Sequence, residues 1–267
     1  MVEYFIDKNK VEIDMNPPFY YGSQEILCNK ENDISFDQDW HKEGFFICDL
    51  FDKKEFNNIK KGISNCIFKN ANKKFKIEKY HNYIDEKKHF ELVEKSRDFY
   101  PKDFEFSVSK ILYKLSNILG FELTDFNPFV SKPLHIIVRI VRPGSKDFNP
   151  PHKDIHEEFD RTGVVPKHIN FWIPICGVSK NSMLPIVPKS HLIPENKILR
   201  TFQGSNIGKN KYRVNGIVKW NENNKLIRPK IKYGQVLIFS SHLIHGCATN
   251  TQKDTTRISL EFRLFKK

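Results

Sequence analysis

The spacing of hydrophobic residues predicts helices in the first half of the chain. Between residues 53 and 69 apolar side chains recur every three or four positions, which indicates an amphipathic helix. Asp52 before this run, with Glu55 three residues further on, gives the pattern of a capping box. A second stripe with the same period predicts a helix over residues 103–119, ended by Gly120.

Short apolar runs rich in β-branched residues and bounded by Gly or Pro predict strands in the second half. They cover residues 134–142, 169–175, 183–191, 234–239 and 257–264. Two helices followed by about eight short strands fit a β-sandwich or jelly roll with helices packed outside it. The predicted fold class is therefore mainly β with flanking α-helices.

The remaining segments lack a clear period. Residues 1–35 predict a loosely structured N-terminal arm, and the polar, Lys-rich residues 70–90 predict an exposed loop or short strands. Residues 195–230 read as a long insert or a small hairpin. We expect one domain over residues 36–267.

That domain divides into two parts. The helical part spans about 36–125 and the jelly-roll core about 130–265.

Composition narrows the class of protein. The chain has 267 residues and no apolar run of about 18, so we expect no membrane span. The N-terminus lacks the basic and apolar regions of a signal peptide. Five scattered cysteines without a Cys-x-x-Cys motif favour reduced thiols and a cytoplasmic protein.

The net charge of +12 attracts anions in general. The lysines are spread out, without a block of five or six, which favours a solvated surface over a basic groove. Nucleic acid is therefore a disfavoured partner, and a small, anionic molecule fits the charge better.

Candidate metal ligands stand at His152 and Asp154. On an extended strand, side chains at i and i+2 point to one face, so an imidazole and a carboxylate would meet at one point. They form two thirds of the two-His, one-carboxylate triad that holds non-haem Fe(II). His245 supplies the missing imidazole, with His242 as its competitor. The following Gly246 favours His245.

Several motifs in the same order resemble the phytanoyl-CoA dioxygenase-like branch of the Fe(II)/2-oxoglutarate oxygenases, from about residue 36 to 265. They are the helix–Gly–Phe–strand–helix opening at 40–63, Arg139-x-x-Arg142-Pro-Gly, His152-x-Asp154, Asn170-x-Trp172-Ile-Pro, Leu184-Pro-Ile-Val-Pro188-Lys-Ser-His191, Gly234 before Val-Leu-Ile-Phe, His245-Gly-x-x-x-Asn250, and Arg257-Ile-Ser259. Lys189 stands where the family usually has Gly.

The resemblance implies a double-stranded β-helix (jelly-roll, cupin-like) core and Fe(II) bound by His152, Asp154 and His245. It also implies 2-oxoglutarate as cosubstrate and O2 as co-reactant. Arg257 is the candidate for binding the carboxylate of 2-oxoglutarate that lies away from the metal, since a guanidinium binds a carboxylate through two parallel hydrogen bonds. Ser259 on the same strand face is a candidate hydroxyl donor.

Three further residues have open roles. Arg263 shares the strand face of Arg257 and Ser259 and competes with Arg257. Asn170 is a candidate for the cosubstrate pocket, although it and Trp172 could equally pack the sheet.

The implied activity is hydroxylation of an unactivated C–H bond in a small metabolite, with release of succinate and CO2. Alternatives are an oxidative nucleic-acid dealkylase and a jelly-roll binding protein without catalysis. The i, i+4 pair His152 and His156 is typical of zinc hydrolases, but Lys153 replaces the Glu that this motif needs. The other histidines are interpreted as surface or core residues: His41, His81, His135, His168 and His191. Only the alternation of side chains along their strand suggests that His135 and Arg139 face the cosubstrate pocket.

Overall fold

The computed structural model describes residues 1–97, 99–128, 131–133, 136–208 and 210–267. The α-helices are α1 (Lys53–Ala71), α2 (Glu86–Lys95), α3 (Val108–Leu119) and α4 (Ile155–Thr162). Short 3-10 helices cover Asp39–Lys42, Ile77–Asn82, Pro101–Asp103, Ser190–Leu192 and Glu195–Lys197.

Sixteen strands are present in the described part of the chain. They are β1 (Val2–Ile6), β2 (Asn9–Ile13), β3 (Tyr20–Tyr21), β4 (Phe45–Asp49), β5 (Leu123–Thr124), β6 (Phe126–Asn127), β7 (Lys132–Pro133), β8 (Ile137–Val141), β9 (His168–Cys176), β10 (Leu199–Arg200), β11 (Ser205–Ile207), β12 (Asn210–Tyr212), β13 (Ile217–Lys219), β14 (Lys225–Leu226), β15 (Gln235–Ser240) and β16 (Arg257–Lys266).

One sheet forms the first layer of the jelly roll. Its strands run in the order β4-β15-β9-β16-β5, and β8 also pairs with β16. All nine residues of β9 are buried because both faces of this strand are covered. Phe171 and Ile173 belong to the core cluster that α1 and α3 share with the sheet, whereas Trp172 belongs to a cluster on the other face.

The second layer consists of isolated β-bridges between short segments. His245 bridges both His152 and Ile186, and Ile186 bridges Ile227. The amide of Ile217 extends this ladder by donating to the carbonyl of Pro151 at 2.7 Å. Two layers of this kind, with helices outside one of them, confirm the predicted fold class.

Several predicted elements are confirmed. Helix α1 has the predicted capping box, in which Asp52 accepts from the amide of Glu55 and Glu55 accepts from that of Asp52. Helix α3 ends at Gly120 in the left-handed conformation but begins only at Val108, where Ser107 caps it. Within the predicted strand 134–142 the structure has β8, and residues 134 and 135, including His135, lie outside the described residues.

Two predictions in the first hundred residues are wrong. The arm is not loose at its start, because β1 and β2 pair along five residues and Tyr4 is fully buried with its hydroxyl on the carbonyl of Ile217. Residues 70–90 form a 3-10 helix and the start of α2, which Asp85 caps. Their few buried apolar residues, which include Ile77 and Tyr80, are scattered among mostly exposed lysines.

The predicted insert carries β10 to β14 and a hairpin of β11 and β12. Its base is fixed by Arg200, whose guanidinium donates two hydrogen bonds to Asp160 on α4, at 2.5 and 2.7 Å. None of the helices in the described ranges is long and apolar enough to cross a membrane.

His168 on β9 predicts an acid-sensitive fold. Both ring nitrogens are buried without a partner, and burial lowers the pKa of His168 to about 3. The unfolded chain takes up this proton below about pH 6.5, while the folded chain does not, so stability falls as pH drops from 6.5 toward 3. At pH 5 the loss is about 2 kcal/mol.

Urea unfolding of metal-free protein at pH 7 and pH 5 measures this effect. We expect the loss of unfolding free energy between the two pH values to be smaller in His168→Leu by that amount. Equal losses in wild type and variant would show that His168 does not contribute.

Candidate metal centre

The predicted ligands come together in the structure. One potential ligand atom on each of His152, Asp154 and His245 lies within 4.8 Å of the others, and all three residues are buried. The carboxylate of Asp154 faces both imidazoles, with Nε2 of His152 at 3.5 Å and Nε2 of His245 at 3.6 Å. His242 is outside this group, and its Nε2 contacts the carbonyl of Asn32 at 3.2 Å.

Backbone carbonyls fix the protonation of both imidazoles. Nδ1 of His152 donates to the carbonyl of Pro150 at 2.7 Å, and Nδ1 of His245 donates to that of Leu243 at 3.0 Å. A carbonyl only accepts, so Nδ1 of each ring carries a proton, and in the neutral ring the lone pair is on Nε2, which faces Asp154. Burial lowers the pKa of His245 to about 4, which keeps this ring neutral at pH 7. Neutral rings with an orienting second bond are the form in which histidine binds metals.

Asp154 does not extend the strand as predicted. His152 makes the last bridge, and Asp154 has helical angles (φ −70°, ψ −20°) as the residue before α4. The chain turns into the helix there, so the convergence of the two side chains comes from this turn and not from strand alternation. His156, on α4, points elsewhere and pairs with Glu195 at 2.8 Å, which removes the zinc-hydrolase pair.

Two side chains from the main sheet hold the carboxylate of Asp154. Arg263 on β16 donates to Oδ1 at 2.5 Å, and Asn170 on β9 donates to Oδ2 at 2.7 Å. These residues are opposite each other in the register of the two strands. Burial by itself would raise the pKa of Asp154, but the neighbouring Arg263 guanidinium outweighs it and holds the pKa well below its usual range. The carboxylate is therefore ionised.

The start of β16 carries a buried cation, Arg257. Arg257 is 1% exposed and donates to Ser259 at 2.6 Å and to the carbonyl of Ala248 at 3.4 Å, while its Nε is buried without a partner. The guanidinium lies 5.9 Å from the ring centre of Trp172. Burial lowers the pKa of Arg257 to about 10, which still leaves it charged at pH 7. A buried guanidinium without a carboxylate partner is a site for an anionic ligand.

A cavity of 860 Å³ joins these residues. The three candidate ligands, Arg257 and Asn170 line it. Ser259, predicted to contact the cosubstrate, is fully buried behind Arg257 and accepts its hydrogen bond. Its place in the structure is that of a support for the arginine.

The profile of the phytanoyl-CoA dioxygenase (PhyH) family matches residues 40–259. The chain belongs to this family. PhyH proteins are Fe(II)/2-oxoglutarate-dependent enzymes, so the predicted family, the enzyme class and the two cofactors are confirmed for the chain. The residues present fit both groups, because two imidazole lone pairs and an ionised carboxylate converge and a buried arginine lacks a counter-charge.

Several solved structures are similar to this PhyH chain at low identity. They include AviO1 from Streptomyces viridochromogenes Tue57, at 12% identity and TM-score 0.48 over 85% of this chain and 91% of that one. EctD from S. alaskensis, solved with 2-oxoglutarate and 5-hydroxyectoine, has 14% identity and TM-score 0.48 over 85% and 73%. The epimerase SnoN from nogalamycin biosynthesis has 12% identity and TM-score 0.43 over 85% and 79%. The search of curated proteins finds no match.

Sequence reasoning missed two contacts in this PhyH site. The sequence presents Arg263 only as a rival of Arg257 and does not predict its bond to Asp154. The even spacing of 257, 259, 261 and 263 indicates a shared face, but not which partner Arg263 meets there. The salt bridge between Arg139 and Glu261, at 2.8 Å on the cavity wall, was also missed. Arg139 does face the cavity, as parity suggested.

Gly246 gives a prediction about the metal centre. Its φ is +130°, and a Cβ there would lie 2.4 Å from the carbonyl oxygen of Pro150, which orients His152. Gly246→Ala is expected to weaken Fe(II) binding by roughly 10- to 100-fold, the usual effect of losing an outer-shell contact. Anaerobic Fe(II) titration measures it.

Gly163 is the matched control. It ends α4 at φ +73° with no atom within 4 Å of an added Cβ. Gly163→Ala should lower the free energy of unfolding by about 1 kcal/mol and leave Fe(II) affinity unchanged. Equal Fe(II) affinity in both variants would contradict the role given to Gly246.

Proposed function

We propose that the chain hydroxylates an unactivated C–H bond of a small, anionic metabolite, using His152, Asp154 and His245 as Fe(II) ligands and Arg257 as the 2-oxoglutarate anchor. The observation that carries the proposal is a three-ligand cluster and an uncompensated buried cation on the wall of one cavity. The overall reaction is R–H + 2-oxoglutarate + O2 → R–OH + succinate + CO2.

With both groups bound, the iron would activate O2, and 2-oxoglutarate would supply two electrons as its C1–C2 bond breaks. The protein's own side chains hold these reactants. The carbonyls of Pro150 and Leu243 keep the imidazoles oriented, and Asn170 fixes the carboxylate of Asp154. Arg257 lines the cavity and would bind the distal carboxylate, while Ser259 accepts a hydrogen bond from its guanidinium.

The charges on the cavity wall support an anionic substrate. Two acidic residues on the cavity wall are paired with arginines, Glu261 with Arg139 and Asp154 with Arg263. Arg97 after α2 and Lys211 on the hairpin line the same cavity, and neither forms an ion pair with any residue in the described ranges. These two cations are available to a carboxylate or phosphate on the substrate.

Anaerobic titration with Fe(II) and 2-oxoglutarate tests the ligand set. Chelation of iron by the cosubstrate gives a weak visible charge-transfer band, which we expect in wild type and not in His152→Ala. His242→Ala is the matched control, because His242 lies outside the ligand group, and it should keep the band. Wild-type protein that contains iron and cosubstrate without the band would contradict the proposal.

Substrate screening by succinate release then tests the reaction. Anionic compounds should stimulate succinate release more than their neutral esters or amides. Arg97→Ala with Lys211→Ala should reduce this preference without changing the charge-transfer band. Equal stimulation by anionic and neutral forms would overturn the substrate class while leaving the oxygenase assignment in place.

A further inference from the structure

A second cluster of metal-ligating side chains lies outside the cavity. One potential ligand atom on each of Cys28, His41 and His191 lies within 4.8 Å of the others. Cys28 is 4% exposed and His191 fully buried, while His41 is half-buried. None of the three lines the 860 Å³ cavity, so the cluster is separate from the iron site.

The hydrogen bonds leave this cluster short of partners. Nε2 of His191 donates to the carbonyl of His41 at 2.7 Å, which places the proton on Nε2 and leaves the lone pair on Nδ1. Nδ1 of His191 and Nδ1 of His41 are both buried without a hydrogen-bond partner. A histidine that donates one ring N–H to a carbonyl and keeps the other nitrogen free has the arrangement of a metal ligand.

Gly44 packs directly against the ring of His191. It has φ +81°, and a Cβ there would lie 2.5 Å from Nδ1 of His191. A larger residue at position 44 would therefore displace the ring of His191.

We propose that Cys28, His41 and His191 bind Zn²⁺. One thiolate and two neutral imidazoles are characteristic zinc ligands, and a solvent molecule on the half-buried side of His41 would complete four-fold coordination. The Cys28 thiol donates to Asp33 at 3.2 Å, and on zinc binding it loses its proton to the buffer as the S–Zn bond forms. No oxidation or reduction takes place.

Such a site would connect three parts of the chain. Cys28 belongs to the N-terminal segment, His41 to the first 3-10 helix, and His191 to the 3-10 helix of the Pro-Lys-Ser-His segment. The neighbouring Ser190 accepts from the amide of Ile244, next to the iron ligand His245, at 2.8 Å. Zinc would therefore hold the backbone on which His245 is mounted without taking part in the chemistry.

Cobalt substitution tests the proposal with a thiolate-specific signal. Full-length protein, stripped of metal, is titrated with Co²⁺, which gives an intense near-ultraviolet sulfur-to-cobalt band only where a cysteine is a ligand. The iron ligands His152, Asp154 and His245 contain no sulfur, so Co²⁺ bound there does not produce it. We expect the band in wild type and in His152→Ala, and its loss in Cys28→Ser.

Two further variants keep the test decisive. Cys48→Ser removes a cysteine outside the cluster and should keep the band. His152→Ala disables the iron site, so that Zn²⁺ binding in this background reports the second cluster alone. Adding His41→Asn, at the half-buried ligand, should weaken that Zn²⁺ binding at least tenfold in competition with a chromophoric chelator, and it decides the question if Cys28→Ser does not fold. Zn²⁺ should also raise the melting temperature of His152→Ala but not of the double variant.

The second site would be overturned if folded wild type lacked the cobalt band or if Cys28→Ser kept it. Unchanged Zn²⁺ affinity on introducing His41→Asn would also overturn it. None of these results bears on the charge-transfer band of the iron site, so the two proposals stand or fall separately.

Discussion

Replacing Arg257 with methionine is expected to weaken 2-oxoglutarate binding by roughly 30-fold or more, since truncating one partner of a buried charge pair costs about 2–5 kcal/mol. The same change should leave the metal-free protein as stable as wild type or more so. Arg257 is fully enclosed with no carboxylate within bonding distance among the described residues, and burial lowers its pKa to about 10. A buried, uncompensated cation costs stability, and methionine removes that cost while filling similar space.

Arg263→Met is the matched comparison. Arg263 is one-third exposed and bonds Asp154, so its loss should weaken Fe(II) binding and leave the cosubstrate affinity of iron-saturated protein nearly unchanged. Isothermal titration with 2-oxoglutarate, on protein loaded with Mn²⁺ under anaerobic conditions, separates the two effects. If Arg263→Met lost 2-oxoglutarate and Arg257→Met did not, the two arginines would have the reverse roles, which is the alternative that the sequence leaves open.

Local signals were sufficient for much of the fold. A few adjacent residues are enough to predict the capping box of Asp52 and Glu55 and the helix end at Gly120. Both features are present in the structure. The β-rich second half was predicted because its strands are buried on one or both faces and therefore read as apolar runs. Helix α2 was missed because only His89 and Leu92 of its ten residues are buried, so its period is hidden among exposed lysines and glutamates.

The contacts of the site depend on long-range register and were less predictable. The types and spacing of His152, Asp154 and His245 suggested a ligand set, and the structure brings them together. That Arg263 would reach Asp154 depends on the pairing of β16 with β9, which sets Arg263 opposite Asn170. No local pattern carries that information. The cluster of Cys28, His41 and His191 joins residues up to 163 positions apart and was hidden for the same reason.

Asp154→Ala is expected to reduce Fe(II)-dependent succinate release by roughly 1,000-fold or more, equivalent to about 4 kcal/mol, without unfolding the protein. The carboxylate is the only anionic member of the proposed ligand set, and it faces both imidazoles. Its side chain makes no capping hydrogen bond to α4, so the helix keeps its start. Arg263, its ion-pair partner, is one-third exposed and has water available when the carboxylate is removed.

Asp160→Ala, in the same helix, should show the opposite behaviour. Asp160 is buried in an ion pair with Arg200 and also accepts from Asn215, so its removal leaves a buried cation unpaired and should cost about 3–5 kcal/mol of unfolding free energy. Asp160 is not part of the ligand group, and iron content per folded molecule should stay at the wild-type value. Iron analysis and urea unfolding of the two variants together separate metal binding from folding. Wild-type succinate release by Asp154→Ala would exclude the proposed triad, because two imidazoles alone would then suffice for the reaction.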